Sequence, residues 1–201
     1  MSDITPSRSA LIALVEERRS FHEGYVFLDE KCLLLAGAIL REIGRFEQAR
    51  IELEARRREA AGALAAAVSR LGLEGLQSYP TTGRDRLELA LERESLLGVA
   101  LQSARLDLPQ PVTQGLPLGT VPEAEEVRTA FGSLSAHLAA MAAIAGNLER
   151  LCDEYRRTVR RARALQDVLL PEIDQTVREM DSLLEELERD EATWLHHSRR
   201  L

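Results

Sequence analysis

Apolar and small residues recur every three or four positions along the first third of the chain. The series is Leu11, Leu14, Phe21, Tyr25, Leu28, Cys32, Leu35 and Ile39, and it resumes one residue late at Ile43, Phe46, Leu53, Ala60, Leu64 and Leu71. Such a heptad seam predicts a long amphipathic helix that packs against another helix. This restart is equivalent to an insertion of four residues, a stutter, which locally relaxes left-handed supercoiling.

The last 80 residues carry a second and longer seam. Its members are Val127, Phe131, Leu134, Leu138, Met141, Ala145, Leu148, Cys152, Tyr155, Val159, Ala162, Gln166, Leu169, Ile173, Thr176, Met180, Leu184 and Leu187, with Trp194 in phase beyond them. Pro171 lies off the seam and predicts a kink or the loss of one hydrogen bond. At 1.5 Å per residue the two helices would be roughly 100 and 115 Å long. We expect them to pair antiparallel, with Leu11 and Leu14 opposite the segment from Leu187 to Trp194.

Between the helices lies a stretch with a different pattern. Residues 87–92 alternate apolar and polar, which is the signal of a strand, and a short helix fits the same residues. In the strand interpretation, Arg93 to Ser95 form the turn and Leu97, Val99 and Leu101 lie on the facing strand. The segments around Pro109 and Pro117 are predicted to be loops, because proline cannot donate a ladder hydrogen bond.

These patterns predict an all-α protein, a long antiparallel two-helix coiled coil with a small central β-hairpin or short-helix insert. Residues 1–72 would form the N-terminal helix, residues 73–121 the central loop with a hairpin at about 86–102, and residues 122–201 the C-terminal helix.

Composition and charge argue against several classes of function. The net charge of −7 argues against a nucleic-acid-binding protein, whose affinity depends on a basic surface. No run of about 18 apolar residues is evident, so we expect no membrane insertion. The first 30 residues lack an export signal, and two isolated cysteines form no disulfide framework, so we expect a cytoplasmic location.

Residues that could carry chemistry are few. The sequence has no glycine-rich phosphate loop, and His196 and His197 are neighbours that point about 100° apart on a helix, too far to share one metal. Cys32 and Cys152 fall on the seams, where cysteine packs as a small hydrophobe. We therefore expect no enzyme active site, no metal and no cofactor. The dense arginine cluster from Arg156 to Arg163 is a solvated face or a docking patch for an acidic partner.

Three segments resemble a known family. Gly24–Leu34 (GYVFLDEKCLL) is similar to the G-x-x-L-L-x-x-K-x-x-x-L stretch of the D subunits of V-type and archaeal A-type ATPases. Residues 159–171 (VRRARALQDVLLP) resemble the family's T-R-R-V-N-A-L-E-x-V-x-I-P signature, and residues 184–191 (LEELERDE) resemble its L-E-E-x-E-R-E-E stretch. The positions that match the family motifs are Gly24, Leu28, Lys31, Leu34, Arg160, Arg161, Leu165 and Pro171.

The resemblance implies a rotor shaft rather than a catalyst. The D subunits of this family form the central stalk, with both termini inside the hexamer of catalytic and regulatory ATP-binding subunits. The middle of the chain lies near the small F subunit and the funnel-shaped subunit that links the stalk to the membrane ring. The implied contacts with the hexamer are Arg18, Arg19, Glu185, Glu186, Glu188 and Glu191. The implied contacts with the F subunit or the ring-side subunit are Leu87, Leu89, Leu91, Leu97, Val99 and Leu101.

Other functions remain compatible with a coiled coil. A non-rotary adaptor or a chaperone-like tethering protein would show the same seams. A helical hairpin that binds nucleic acid through the arginine cluster is disfavoured by the acidic charge. The sequence leaves open whether the complex makes or hydrolyses ATP, and whether it moves protons or sodium.

Overall fold

The computed structural model describes residues 7–77, 88–107 and 122–198. The elements in chain order are α1 (Arg8–Gln77), β1 (Glu88–Leu96), β2 (Val99–Asp107), α2 (Pro122–Ala164), a π-helical segment (Leu165–Leu169) and α3 (Leu170–Ser198). Long helices with a small two-stranded insert confirm the predicted fold class. The chain divides into two compact units, which are described in turn.

Unit 1 contains the start of α1, to residue 34, and the chain from residue 155 onward. The two segments are antiparallel, because Arg8 pairs with Glu188 at 2.5 Å whereas the later Arg18 pairs with the earlier Asp174, also at 2.5 Å. Ala162, Ile173 and Met180 are buried on the C-terminal side of this unit. The predicted register is wrong by about eight residues, roughly 12 Å of helix axis, because these ion pairs place Leu11 and Leu14 opposite residues that precede the predicted segment from Leu187 to Trp194.

The π-helical segment accounts for a second departure from the predicted seam. The N–H of Leu170 bonds to the carbonyl of Leu165, five residues back, immediately before Pro171. Proline has no N–H to donate and crowds the carbonyl four residues earlier, so a wider turn relieves the helix there. The wider turn shifts the helix phase, and the predicted seam residues Gln166 and Leu169 are exposed.

Unit 2 contains residues 35–154, of which the structure describes 35–77, 88–107 and 122–154. Here α1 and α2 are antiparallel. The Arg56 guanidinium donates to the Ser133 hydroxyl at 2.6 Å, and His137 Nε2 bonds to the Ala49 carbonyl at 3.0 Å. The helices bury Leu35, Ala38, Glu42, Ala60, Ala67, Asn147 and Leu151.

The buried side of α1 differs from prediction near the stutter. Glu42 is buried whereas the predicted seam residue Ile43 is exposed, and Ala67 is buried whereas Leu64 is exposed. Arg45 donates to one oxygen of Glu42 at 2.7 Å, which supplies a partner for part of the buried carboxylate. The small alanines at positions 60 and 67 leave room for the facing helix.

Near its end α1 is interrupted at Gly72, whose φ of 69° and ψ of 167° are not helical. Glycine has no Cβ and takes this positive φ without steric cost, so it is suited to breaking the helix.

The central insert is a hairpin, as the strand interpretation predicted, and the short-helix alternative is wrong. Its turn lies at Leu97–Gly98 and not at Arg93–Ser95, so both strands are nine residues long. Leu97 and Gly98 have φ of 52° and 85°. Positive φ at both turn residues defines a type I′ turn, whose twist matches that of a hairpin.

Part of the C-terminal helix is long and apolar enough to cross a membrane by length and composition, although polar residues interrupt it and it is not an unbroken apolar run. No Asp, Glu, Lys or Arg occurs between Arg128 and Glu149. Ser133, His137 and Asn147 within this stretch hydrogen-bond to other elements of unit 2. Such polar contacts fit a helix that packs against protein.

Candidate partner-binding surfaces

Residues of two motifs meet inside unit 1. Gly24 on α1 lies against the Leu165 side chain, at the first residue of the π-helical segment. Leu28 and Lys31 are half-buried, whereas Leu34 is exposed. Arg160, Arg161 and Pro171 are exposed as well. The motif positions therefore divide into an inward group that packs the helices together and an outward group that is accessible.

A charged surface lies near the ends of the chain. It comprises Arg18, Arg19, Glu185, Glu186, Glu188 and Glu191, all of them exposed. Glu188 pairs with Arg8, and Arg18 pairs with Asp174, so both ion pairs join α1 to α3. Arg19 pairs with Glu23 one turn away at 2.8 Å. The hydrogen bond with Glu188 raises the pKa of Arg8. Exposed pairs of this kind contribute under about 1 kcal/mol each, so the surface is available for other contacts.

The same segment of unit 1 exposes apolar side chains. Leu187, Trp194 and Leu195 on α3 are all largely accessible, with Trp194 at 69% of its full exposure. Large exposed apolar side chains beside charges are typical of surfaces that bind other proteins.

The hairpin forms a second accessible surface. Leu89 and Leu91 on β1 retain 53% and 49% of their exposure, and Leu97 in the turn is also exposed. Leu101 is half-buried, and Val99 is buried, so Val99 is not accessible to a partner here. Leu87 lies outside the described residues.

A side-chain amide holds the hairpin on α2. Gln102 of β2 donates its backbone N–H to Asn147 Oδ1 at 2.8 Å and accepts from Asn147 Nδ2 at 2.9 Å. Arg150 donates to the same Oδ1 at 2.7 Å. Sequence reasoning missed Asn147. The available signal was an asparagine within an alanine-rich stretch free of charge, where a buried amide needs hydrogen-bonding partners.

The described residues contain no group of three or more His, Cys, Asp or Glu side chains that could hold a metal ion. Cys32 and Cys152 are both free thiols. Burial, together with the nearby Asp29 carboxylate, raises the pKa of the Cys32 thiol. Because the thiolate is the reactive form, this environment makes Cys32 a poor nucleophile.

Comparison with known proteins identifies the family of the chain. Residues 10–200 match the family of ATP synthase D subunits. The chain belongs to this family. Among its relatives, the D subunit of the V-type ATP synthase of Thermotoga neapolitana is 24% identical over 188 residues, which cover 94% of this chain and 93% of the relative. The D subunit of the A-type ATP synthase of Methanoregula boonei is 27% identical over 194 residues, covering 95% and 93%. The D subunit of the V-type ATP synthase of Enterococcus faecalis is 25% identical over 198 residues, covering 96% and 93%.

The family match confirms the resemblance drawn from the three motifs. It also extends that resemblance, because the three motifs cover 32 of the 201 residues whereas the match includes the hairpin and the charge-free part of α2. The two accessible surfaces described above are thus surfaces of an ATP synthase D subunit.

Proposed function

We propose that this protein is the central-stalk rotor shaft of a rotary V/A-type ATPase. It would couple ATP hydrolysis or synthesis in a soluble catalytic hexamer to ion transport through a membrane ring. The observation that carries the proposal is the match to the D-subunit family over nearly the whole chain. The protein itself would be non-catalytic and cytoplasmic, and it would be peripheral to the membrane as part of the complex.

Helix packing supports a mechanical role. In each unit α1 lies antiparallel to the C-terminal helices, and ion pairs or hydrogen bonds link them at several levels. Interior residues of such a pair are closely packed and resist relative movement of the helices. Twisting one helix about the other would break these contacts, so torque applied to the pair is transmitted along it.

Coupling also requires contacts that differ between states of the partners. A binding partner shifts a conformational equilibrium only by its differential affinity for the states. The charged surface of unit 1 provides unlike charges around the helices, with the acidic segment Glu185–Glu191 on α3 and Arg18 and Arg19 on α1. We propose that this surface contacts the catalytic and regulatory subunits of the hexamer, which would carry all of the ATP chemistry.

The hairpin of unit 2 would bind the lower partners. Its exposed leucines, Leu89, Leu91 and Leu97, together with the half-buried Leu101, form the proposed surface for the F subunit or the funnel-shaped ring-side subunit. Deleting residues 88–107 tests this assignment. The variant should stay helical by circular dichroism and should lose association with the lower partners. A variant that still binds both would contradict the assignment.

Truncation distinguishes a rotor from a tether. Removing residues 194–201 takes away Trp194 and Leu195, which are exposed and contribute little to the fold of unit 1. In the reconstituted complex a rotor predicts that ATP turnover continues while ion movement per ATP falls. Trp194→Phe, which retains an aromatic ring, serves as the matched control. If truncation leaves turnover and ion movement tightly linked, the non-rotary adaptor becomes the better account.

A further inference from the structure

The two edges of the hairpin are in different environments. The outer edge of β2 is covered, because the Asn147 side chain bonds to both the N–H and the carbonyl of Gln102. Within the described residues the outer edge of β1 has no such cover. Among residues 7–77, 88–107 and 122–198, the sheet has only its two strands, and no further backbone hydrogen bond reaches β1.

Pairing fixes which backbone groups of β1 point outward. Residues opposite each other in an antiparallel pair alternate between those that exchange hydrogen bonds and those that direct both groups away. Gln102 directs its groups away, toward Asn147, and its partner across the sheet is Arg93. Arg93 therefore points its N–H and carbonyl to the open side, and by the same alternation so do Leu89, Leu91 and Ser95.

The two faces of β1 differ in charge. Leu89 and Leu91 share a face with Arg93, and both leucines are about half exposed. The opposite face carries Glu88, Glu92 and Glu94, all exposed. A strand added to this edge would meet apolar side chains on one face and three carboxylates on the other, since directly opposed side chains lie within contact distance.

We propose that the outer edge of β1 binds an extended segment of a partner protein of the complex, in which basic residues alternate with apolar ones. The basic side chains would face Glu88, Glu92 and Glu94, and the apolar ones would cover Leu89 and Leu91. A second copy of this hairpin is a poor occupant, because β1 against β1 places carboxylates opposite carboxylates. The inference rests on the proposed function, in which the hairpin is a partner-binding surface of the stalk.

Proline at position 93 tests the backbone contact. Arg93→Pro removes the outward N–H and leaves the hydrogen bonds between β1 and β2 in place, because the N–H of residue 93 is not part of the ladder. Arg93→Ala removes the same side chain and keeps the N–H, so it is the matched control. The full-length variants are mixed with the remaining purified subunits of the ATPase, and association is measured. We expect Arg93→Pro to bind at least about tenfold more weakly than Arg93→Ala, the effect of losing one intermolecular hydrogen bond and its neighbours.

Amide hydrogen exchange and the salt dependence of association provide two independent tests of strand addition. The amides of Leu89, Leu91 and Arg93 should exchange rapidly in the isolated protein and become protected in the complex. Replacing Glu92 and Glu94 together by Gln should weaken association and reduce its dependence on salt concentration.

The following outcomes would overturn the proposal. Equal binding by Arg93→Pro and Arg93→Ala, while deletion of 88–107 abolishes binding, would leave the proposed function standing and remove strand addition. If the deletion also binds normally, the hairpin is not a partner surface at all. Protection of the outer amides in the isolated protein would assign the edge to a second copy if it rises with concentration, and to another segment of the same chain if it does not.

Discussion

Gly24 and Leu165, 141 positions apart in the sequence, pack against each other in unit 1. A β-carbon added at Gly24 would stand 3.7 Å from Leu165 Cδ1, which is ordinary van der Waals contact. The site thus accepts a methyl group. Two of the three motifs that pointed to the family therefore meet in this contact.

Two substitutions at position 24 should have opposite effects. Gly24→Ala should stabilise the protein by up to about 1 kcal/mol, because alanine is the better helix former and its methyl fits. Gly24→Leu should destabilise it by about 1–3 kcal/mol through overpacking against Leu165. Urea unfolding of the purified chain measures both. Gly62→Ala, with no atom within 4 Å of the added carbon, isolates the helix-propensity contribution. A Gly24→Leu variant as stable as the parent protein would contradict the close contact.

Removing the Asn147 amide should release the hairpin from α2. Asn147→Ala leaves the N–H and carbonyl of Gln102 without their side-chain partner, at a cost of about 1–3 kcal/mol for groups that stay buried. The measurable result is faster hydrogen exchange at the Gln102 amide and a lower midpoint of unfolding. Gln175→Ala is the control, since Gln175 is an exposed helical amide bonded to Glu179. Unchanged exchange at Gln102 would show that the hairpin is held by other contacts.

Aspartate substitutions on either side of Pro171 should separate a buried from an exposed position. Ile173 is 6% exposed and Leu169 is 38% exposed, although the sequence pattern placed both on one seam. Ile173→Asp buries an unpaired charge and should destabilise unit 1 by about 3 kcal/mol or more. Leu169→Asp, the same change four residues away, should cost well under half of that. Thermal unfolding followed by circular dichroism compares them. Equal losses would favour the continuous seam over the phase shift at the π-helical segment.

The sequence was sufficient for the helices because their signal is repetitive. A single mistaken position, such as Ile43 in place of Glu42, does not change the conclusion that residues every three or four positions face another helix. The alternation over residues 87–92 likewise indicated a strand, although a short helix fitted the same residues. The sequence did not determine the helical phase near Pro171 or the register in which the helices pair. The wider turn before Pro171 shifts the later residues around the helix, and a pattern that assumes an unbroken α-helix then misplaces Leu169.

The turn of the hairpin and the partner-binding surfaces were harder to predict from the sequence. Leu97 takes a positive φ that is uncommon for a residue other than glycine, asparagine or aspartate, so Gly98 alone was a weak turn signal. Asn147 acts through the backbone of Gln102, which is distant in sequence. The roles of the charged surface and of the hairpin leucines depend on other subunits, and they stay predictions that the experiments above address.

The Cys32 thiol gives a test that depends on pH. Burial of the thiol, together with the charge of Asp29, disfavours the thiolate and raises the pKa of Cys32 above its ordinary value of 9.0. The folded protein therefore binds this proton more tightly than the unfolded chain does. The contribution to stability is constant below the ordinary thiol pKa, and it falls as the pH rises from there through the raised pKa of the folded state.

Alkylation should report this shift directly. In a Cys152→Ser variant, where Cys32 is the remaining cysteine, the rate of reaction with iodoacetamide follows the thiolate fraction. We expect the half-maximal rate of the folded protein at a higher pH than that of the same variant in urea, where neither burial nor Asp29 acts on the thiol. Asp29→Asn is the matched control: it should move the folded curve part of the way back and leave the rest, since burial is the larger cause. Superimposed folded and urea curves would contradict the burial of Cys32 against its helical neighbours. A complete return in Asp29→Asn would instead assign the whole shift to charge.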